Sequence, residues 1–165
     1  MKRLIVPAAL VAAVLGVTLF SATGSAKPSK GTNLTVIERD SESNFRFIDN
    51  PPRAQRAVFR GGRVSSGDEL ATFQPLRSKK GRRVGALEAI CTAARGARSF
   101  PHAEFVCHGA YRFKRGTLAL EALLHGNGNL QIAVIGGTGV YEGANGSVNS
   151  ISRRNRTIDQ IHLLP

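Results

Sequence analysis

Hydrophobic and polar residues alternate along most of the chain after residue 33, and turns rich in glycine separate the alternating runs. A period of two is the pattern of β-strands that bury one face. The predicted strands are residues 34–39, 45–48, 69–76, 83–94, 103–113, 117–124, 130–135, 147–152 and 158–164. A set of this size with short glycine turns favours an antiparallel barrel or sandwich.

Two segments allow more than one interpretation. Residues 83–95 can form an amphipathic helix instead of a strand, because the run contains Ala86, Leu87, Glu88 and Ala89. Residues 53–66 contain a Gly-Gly turn, and residues 57–59 within them can form a short strand.

The N-terminus has the pattern of a secretory signal peptide. Lys2 and Arg3 precede an apolar run over residues 4–20, and small residues lead to Ala26. A retained membrane anchor is the alternative, but the apolar run is shorter than the roughly 20 residues that span a bilayer. We predict a signal peptide at 1–26, a flexible linker at 27–33, one domain at 34–165 and a secreted protein.

The two cysteines, Cys91 and Cys107, are predicted to form a disulfide, because export leads to an oxidising compartment. Alternation also places them on compatible faces of neighbouring strands. A closed loop of about 15 residues stabilises the fold by roughly 3 kcal/mol in chain-entropy models. The alternative is a free thiol that takes part in chemistry.

The chain is strongly basic, with a formal net charge of +12, and loss of Lys2 and Arg3 with the signal peptide leaves +10. Such a charge favours anionic partners such as acidic cell-envelope polymers. The clusters are Arg77, Lys79, Lys80, Arg82 and Arg83, and then Arg153, Arg154 and Arg156. The first cluster can also be a solvated hairpin loop. With no Trp and few aromatic residues, the sequence predicts no specific nucleic-acid binding.

The glycine-rich run over residues 135–148 imitates a dinucleotide-binding loop, and Asp159 lies where a ribose partner is expected, roughly 20 residues further on. Such a site needs a helix directly after the glycines. Gly143 and Gly146 disfavour that helix, because each costs about 1 kcal/mol in a helix interior. We therefore interpret the run as a structural turn.

The chain contains several short motifs in a fixed order, namely Glu38-Arg39-Asp40, Gly67-Asp68, Arg83-Val84-Gly85, Cys91 and Gly116-Thr117-Leu118, followed by the glycine run with Gly136, Gly137, Gly139, Gly143 and Gly146. This ordered set resembles the allene oxide cyclase and dirigent-like barrel superfamily, above all its secreted bacterial members. The resemblance implies an antiparallel eight-stranded barrel with an apolar interior, which the glycine run helps to close.

The family's chemistry does not transfer residue by residue. The Glu and Asn of allene oxide cyclases match Thr35 and Ile37, a second Asn matches Gln74, and the family cysteine matches Cys91. Residues 144–146 are Ala-Asn-Gly where dirigent proteins have Ala-Arg-Gly.

Other catalytic or metal-binding patterns are weak. The four histidines, His102, His108, His125 and His162, have no ligand spacing, so we expect no metal and no cofactor. Ser65, Ser66 and Asp68 lack the context of a hydrolase. The strand carboxylates Glu88, Glu104 and Glu121 are predicted to face solvent.

The leading hypothesis is a secreted barrel that binds a small apolar or phenolic molecule in its interior. Its polar ligand-binding candidates are Thr35, Thr72, Gln74 and Tyr111. One alternative is an isomerase or cyclase acting on a reactive lipid or polyketide-like substrate. Another is a basic structural protein that binds the cell envelope through the first arginine and lysine cluster. A homo-oligomer is compatible with each hypothesis.

Overall fold

A computed structural model describes residues 31–50, 62–126 and 130–165 of the chain. Its strands are β1 (Thr32–Arg39), β2 (Asn44–Ile48), β3 (Glu69–Arg77), β4 (Arg83–Arg95), β5 (Glu104–Phe113), β6 (Gly116–His125), β7 (Leu130–Gly137), β8 (Gly146–Arg153) and β9 (Arg156–Leu163). The nine strands predicted between residues 34 and 164, apart from the possible one at 57–59, are present, and their ends lie within two residues of the prediction. The all-β class is therefore confirmed.

Three predicted features lie outside the described residues. They are the signal peptide at 1–26, the greater part of the linker at 27–33, and the short strand at 57–59. The helical segments in the described part of the chain are single turns, and none has the length and apolar character to cross a membrane.

The helical alternative for residues 83–95 is wrong, because this segment is the strand β4. It pairs along its length with β3 on one side and β5 on the other. Hydrogen bonds to two neighbouring strands outweigh the small local preference of an Ala- and Leu-containing run for a helix.

Eight strands close into an antiparallel barrel. The sheet runs in the order β1-β9-β8-β7-β6-β5-β4-β3, and β1 returns to β3 through the pairs Ile37↔Arg77 and Glu38↔Leu76. The remaining strand, β2, lies outside this ring and pairs with Glu69–Phe73 of β3. A single turn at Asp40–Glu42 separates β1 from β2. The predicted eight-stranded barrel is confirmed.

Two apolar clusters fill part of the interior. The larger contains Val36, Leu76, Tyr111, Leu118, Leu120, Val134, Val148, Ile161 and Leu163. The smaller contains Val64, Leu70, Cys91, Ala93, Ala103, Phe105 and Cys107. Apart from Val64 and Ala103, these residues occupy the inward-facing positions of strands, as expected for a small barrel.

The glycine run forms the connection between β7 and β8. A three-residue 3-10 turn, Gly139–Tyr141, stands where a dinucleotide site would need a helix. Gly139 has a φ of +62°, which L side chains rarely adopt. A Cβ on Gly137 would lie 2.3 Å from the carbonyl oxygen of Tyr141. These glycines are required by the backbone of a tight turn.

Candidate functional site: a cavity inside the barrel

A cavity of about 280 Å³ lies inside the barrel, among side chains from all nine strands. It reaches the surface near Phe45 of β2, which is 51% exposed, and near the exposed Ser152 at the end of β8. Within the described part of the chain, β2 pairs only with β3 and lies at the end of the sheet order. Among the described residues, the exposure of Phe45 and Ser152 gives a small molecule access to the interior.

Most of the cavity wall is apolar. Its apolar side chains are Phe45, Leu70, Leu87, Ala89, Leu120, Ala122, Leu124, Leu130 and Ile132. The polar side chains that line it are Glu38, Thr72, Gln74, Tyr111, Ser150, Ser152, Thr157 and Asp159. An apolar wall with a few polar groups is the usual composition of a small-molecule site.

Three of the four predicted ligand-binding candidates, Thr72, Gln74 and Tyr111, line this cavity. Thr35 does not, and instead borders a shallow cleft on the outer surface beside Gln160. On β1 the inward positions are those of Val36 and Glu38, and successive strand residues point to opposite faces. The placement of Thr35 near the cavity was therefore wrong by one position.

The amide of Gln74 is held at the wall by two hydroxyl groups. The Ser43 hydroxyl donates to its Oε1 at 3.0 Å, and its Nε2 donates to the Thr72 Oγ1 at 3.5 Å. Gln74 is thus a fixed polar group, with Ser43 approaching from the segment between β1 and β2.

Two buried carboxyl groups, Glu38 of β1 and Asp159 of β9, face the same cavity and are 5% and 2% exposed. The Tyr111 hydroxyl donates to Asp159 Oδ2 at 2.6 Å. Among the described groups no side chain or backbone donor reaches Glu38 Oε1 or Asp159 Oδ1. These two oxygens are satisfied if one proton is shared between the carboxyl groups.

The electrostatics support that protonation. Burial raises the pKa of Glu38 to about 9, with help from the negative charge of Asp159, a hydrogen bond to Asp159 and the charge of Asp40. Burial also raises the pKa of Tyr111 well above its usual value, and Asp159 adds to the effect. At neutral pH the Glu38 carboxyl group therefore keeps its proton.

Sequence reasoning missed this carboxyl pair. The sequence patterns place Glu38 in a family motif and Asp159 where a ribose partner is expected, and neither pattern predicts a buried pair. The available signal was alternation, because Glu38 shares a face with Leu34 and Val36, and Asp159 shares one with Ile161. A carboxyl group on the apolar face of a strand is rare without a function or a partner.

The predicted disulfide is confirmed. Cys91 and Cys107 are directly opposite each other on β4 and β5, with an S–S distance of 2.01 Å, and both line the cavity. Disulfide formation occupies both thiols, so a free catalytic Cys91 is not the state of this structure.

A third buried carboxylate, Asp68, belongs to the loop before β3. It accepts from the Ser65 backbone at 2.7 Å, from the Ser65 hydroxyl at 2.8 Å and from the Asn50 backbone at 3.0 Å. These bonds hold the loop before β3, and the Asp68 carboxylate is occupied by two backbone N–H groups and the Ser65 hydroxyl.

The strand carboxylates predicted to face solvent do lie on the outer surface. Glu88 and Glu121 are exposed, and Glu88 pairs with Arg112. Glu104 is partly buried and lies 2.7 Å from Arg95. Within the described ranges, no three acidic, histidine or cysteine side chains are grouped in a way that could hold a metal ion.

The two basic clusters of the sequence approach each other in the folded protein. One surface cleft is bordered by Lys79 and Lys80 of the β3–β4 turn and by Arg39 and Arg156, which face each other on β1 and β9. Arg77 contributes less to the surface charge, because its guanidinium binds Glu42 at 2.7 and 2.8 Å. These hydrogen bonds also hold the pKa of Glu42 below its usual value.

The fold and cavity define an all-β protein with a closed eight-stranded barrel and an interior site accessible to small molecules. No protein-family model and no curated protein matches the chain. Among solved structures, the chain is similar to a pyocyanin demethylase, with a TM-score of 0.59 and 15% sequence identity. The match covers 80% of this chain and 99% of that one. At this identity the likeness shows the fold alone.

Proposed function

We propose that this protein is a secreted barrel of the allene oxide cyclase and dirigent-like type that binds a small, mainly apolar or phenolic molecule in its interior. The observation that carries the proposal is the cavity of about 280 Å³ with an apolar wall and a few fixed polar groups. Eight-stranded barrels are of the size that either fills with side chains or holds one small ligand. Here the space between the two apolar clusters supports the second possibility.

The family assignment rests on the ordered motifs together with the barrel. One structural neighbour is, by its name, an enzyme that acts on pyocyanin. A barrel of this kind can thus serve a small-molecule function, which is compatible with ligand binding here.

Binding can be tested by calorimetric titration with 4-ethylphenol. Ala122 of β6 lines the cavity, and Ala119 of the same strand does not, so the two form a matched pair. Ala122→Phe should fill the site and abolish binding, whereas Ala119→Phe should leave it unchanged. Equal affinities for the two variants would place any binding outside the barrel, and the absence of saturable binding to the wild type would contradict the proposal.

An isomerase or cyclase that uses the same cavity is a second candidate. The observation that favours it is the buried arrangement of Tyr111, Asp159 and a protonated Glu38, which offers both a proton donor and an acceptor. Gln74 would position a water molecule and Tyr111 would polarise a substrate oxygen. Turnover of an unsaturated fatty-acid epoxide should then fall in Gln74→Ala and Tyr111→Phe, and unchanged rates in both would remove these roles.

Binding to an anionic envelope polymer is a third candidate, favoured by the convergence of Arg39, Lys79, Lys80 and Arg156 around one cleft. With inorganic polyphosphate as the probe, binding should weaken steeply as salt increases. It should also be reduced in a Lys79→Glu, Lys80→Glu variant. Binding insensitive to salt would exclude an electrostatic surface site.

Secretion is supported by the disulfide and by the N-terminal sequence pattern. Intact-mass measurement of the protein after export should give a chain beginning at Lys27 with the mass deficit of one disulfide. A mature protein that retains residues 1–26 would favour a membrane anchor instead.

A further inference from the structure

The cavity wall has an uneven distribution of charge. Glu38 and Asp159 both face the cavity, and the described residues that line it include no lysine, arginine or histidine. Neither carboxyl group lies in an ion pair within the described part of the chain. The described residues that line the cavity therefore include two carboxyl groups and no basic side chain that could balance a negative charge.

The charge on this wall follows from the hydrogen bonds. Tyr111 donates to one oxygen of Asp159, and the oxygens that remain can share a single proton with Glu38. A pair of interacting carboxyl groups in such a site loses its two protons in separate steps. With the proton on Glu38, the Asp159 carboxylate is the member of the pair that accepts from Tyr111 and faces the cavity.

A buried charge without a partner is costly, and proteins normally pair such a charge or neutralise it. Among the described residues the carboxyl pair has no such partner, and it lies beside a cavity whose lining includes the exposed ring of Phe45. A ligand that enters the cavity can therefore supply the partner that the described residues do not. An anionic ligand would be repelled, and a neutral one would leave the charge uncompensated.

We propose that the ligand of this cavity is a compact organic monocation, whose positive charge lies beside Asp159 and Glu38 and whose apolar body contacts Leu120 and Ile132. This inference rests on the proposed function, because it requires that the cavity binds a ligand. The rings of Phe45 and Tyr111 line the same cavity and suit a cation as well. A protonated amine and a quaternary ammonium group on an aromatic or aliphatic body both belong to this class.

The proposal includes a dependence on pH. The groups that face Glu38 are Asp159 of β9, Tyr111 of β5, Gln74 of β3 and the nearby Asp40. Because a cation favours the ionised form of Glu38, protons compete with the ligand. The pKa of Glu38 is about 9, so its carboxyl group ionises as the pH rises toward that value. The affinity for a cation should increase over the same range.

The experiment compares two probes of the same shape by calorimetry at neutral and mildly alkaline pH. Benzyltrimethylammonium carries a positive charge, and neopentylbenzene has carbon in place of the nitrogen. We expect the cation to bind tighter on the order of tenfold or more at neutral pH, and tighter still at alkaline pH. Phenylacetate, an anion of similar size, should bind more weakly than either probe.

The variants separate the two carboxyl groups. Asp159→Asn removes the charge but can still accept from Tyr111, so the preference for the cation should disappear. Glu38→Gln keeps the negative charge on Asp159, so the preference should remain while its increase with pH is lost. Glu121→Gln makes the same chemical change on the outer surface and should alter neither. If Asp159→Asn does not fold, two other measurements still test the proposal. They are the preference of the wild type for the cation over the neutral probe and the pH dependence of cation affinity in Glu38→Gln.

The outcomes are distinct. Equal affinities for the cation and its neutral isostere in the wild type would overturn the cation proposal and leave the binding cavity in place. Tighter binding of phenylacetate would overturn it as well. If none of these probes and no phenol binds, the cation proposal and the proposed function are both wrong.

Discussion

Replacement of Glu38 with glutamine should make the folded protein more stable at neutral pH. Glu38 is 5% exposed and faces Asp159, so folding requires that its carboxyl group take up a proton. A glutamine amide can donate to Asp159 in the same place without any proton uptake. The variant therefore keeps the contact and removes the cost of protonation.

The magnitude follows from the two pKa values of this carboxyl group. Its pKa rises from 4.5, the value for the unfolded chain, to about 9 in the fold. Because the folded pKa is raised, the contribution of Glu38 to stability is fully present below 4.5 and is lost as the pH rises through about 9. The loss is about 1.4 kcal/mol per pH unit within this window, which amounts to about 3 kcal/mol at pH 7.

Urea denaturation at several pH values between 5 and 9 provides the measurement. Far-UV circular dichroism reports the loss of the sheet, and tyrosine fluorescence is an independent signal because the chain has two Tyr and no Trp. We expect the free energy of unfolding of Glu38→Gln to exceed that of the wild type by about 3 kcal/mol at pH 7, and we expect this difference to grow with pH. Glu121→Gln, on the exposed face of β6, should follow the wild type throughout.

The difference in unfolding free energy between wild type and Glu38→Gln at each pH reports on Glu38 alone, because the other titrating groups are the same in both proteins. A difference that stays constant between pH 5 and 9 would show that Glu38 is ionised in the fold, and the reasoning would be refuted. A variant less stable than the wild type at pH 7 would show that the amide cannot replace the protonated carboxyl group.

Three further predictions concern the disulfide, the buried hydroxyl and the glycine turn. Replacing Cys91 and Cys107 with alanine should lower the free energy of unfolding by about 3 kcal/mol, and dithiothreitol should destabilise the wild type but not this variant. Tyr111→Phe should cost about 1–3 kcal/mol in urea denaturation, because it leaves a buried carboxylate oxygen without a donor, and a neutral effect would argue against that hydrogen bond. Gly137→Ala should cost more than about 2 kcal/mol, because its Cβ has no room, whereas a Cβ on Gly136 meets nothing within 4 Å and Gly136→Ala should be tolerated. Similar melting temperatures for the two alanine variants would contradict the tight turn.

The strands were predictable because local alternation and glycine turns set them directly. The disulfide was predictable for the same reason: alternation orients Cys91 and Cys107, and the short turn between their strands makes the pairing antiparallel. The candidates Thr35, Thr72, Gln74 and Tyr111 rest on the barrel resemblance instead, which does not by itself say which face of a strand a residue occupies. Thr35 borders the outer surface because successive residues of a strand point to opposite faces, and Val36 and Glu38 take the inward positions.

The sequence by itself thus determined the class, the strands, their inward faces and the cross-strand disulfide, since each depends on short-range periodicity. Tertiary structure decided the rest. Glu38 and Asp159 are separated by most of the chain, and they meet only because β1 pairs with β9. Closure of the ring through β1 and β3 also brings Arg39 and Arg156 beside the β3–β4 turn. Burial and the charge of a neighbouring carboxyl group raise the pKa of Glu38 only after these distant strands have come together. The protonated state of Glu38 is therefore a property of the folded barrel.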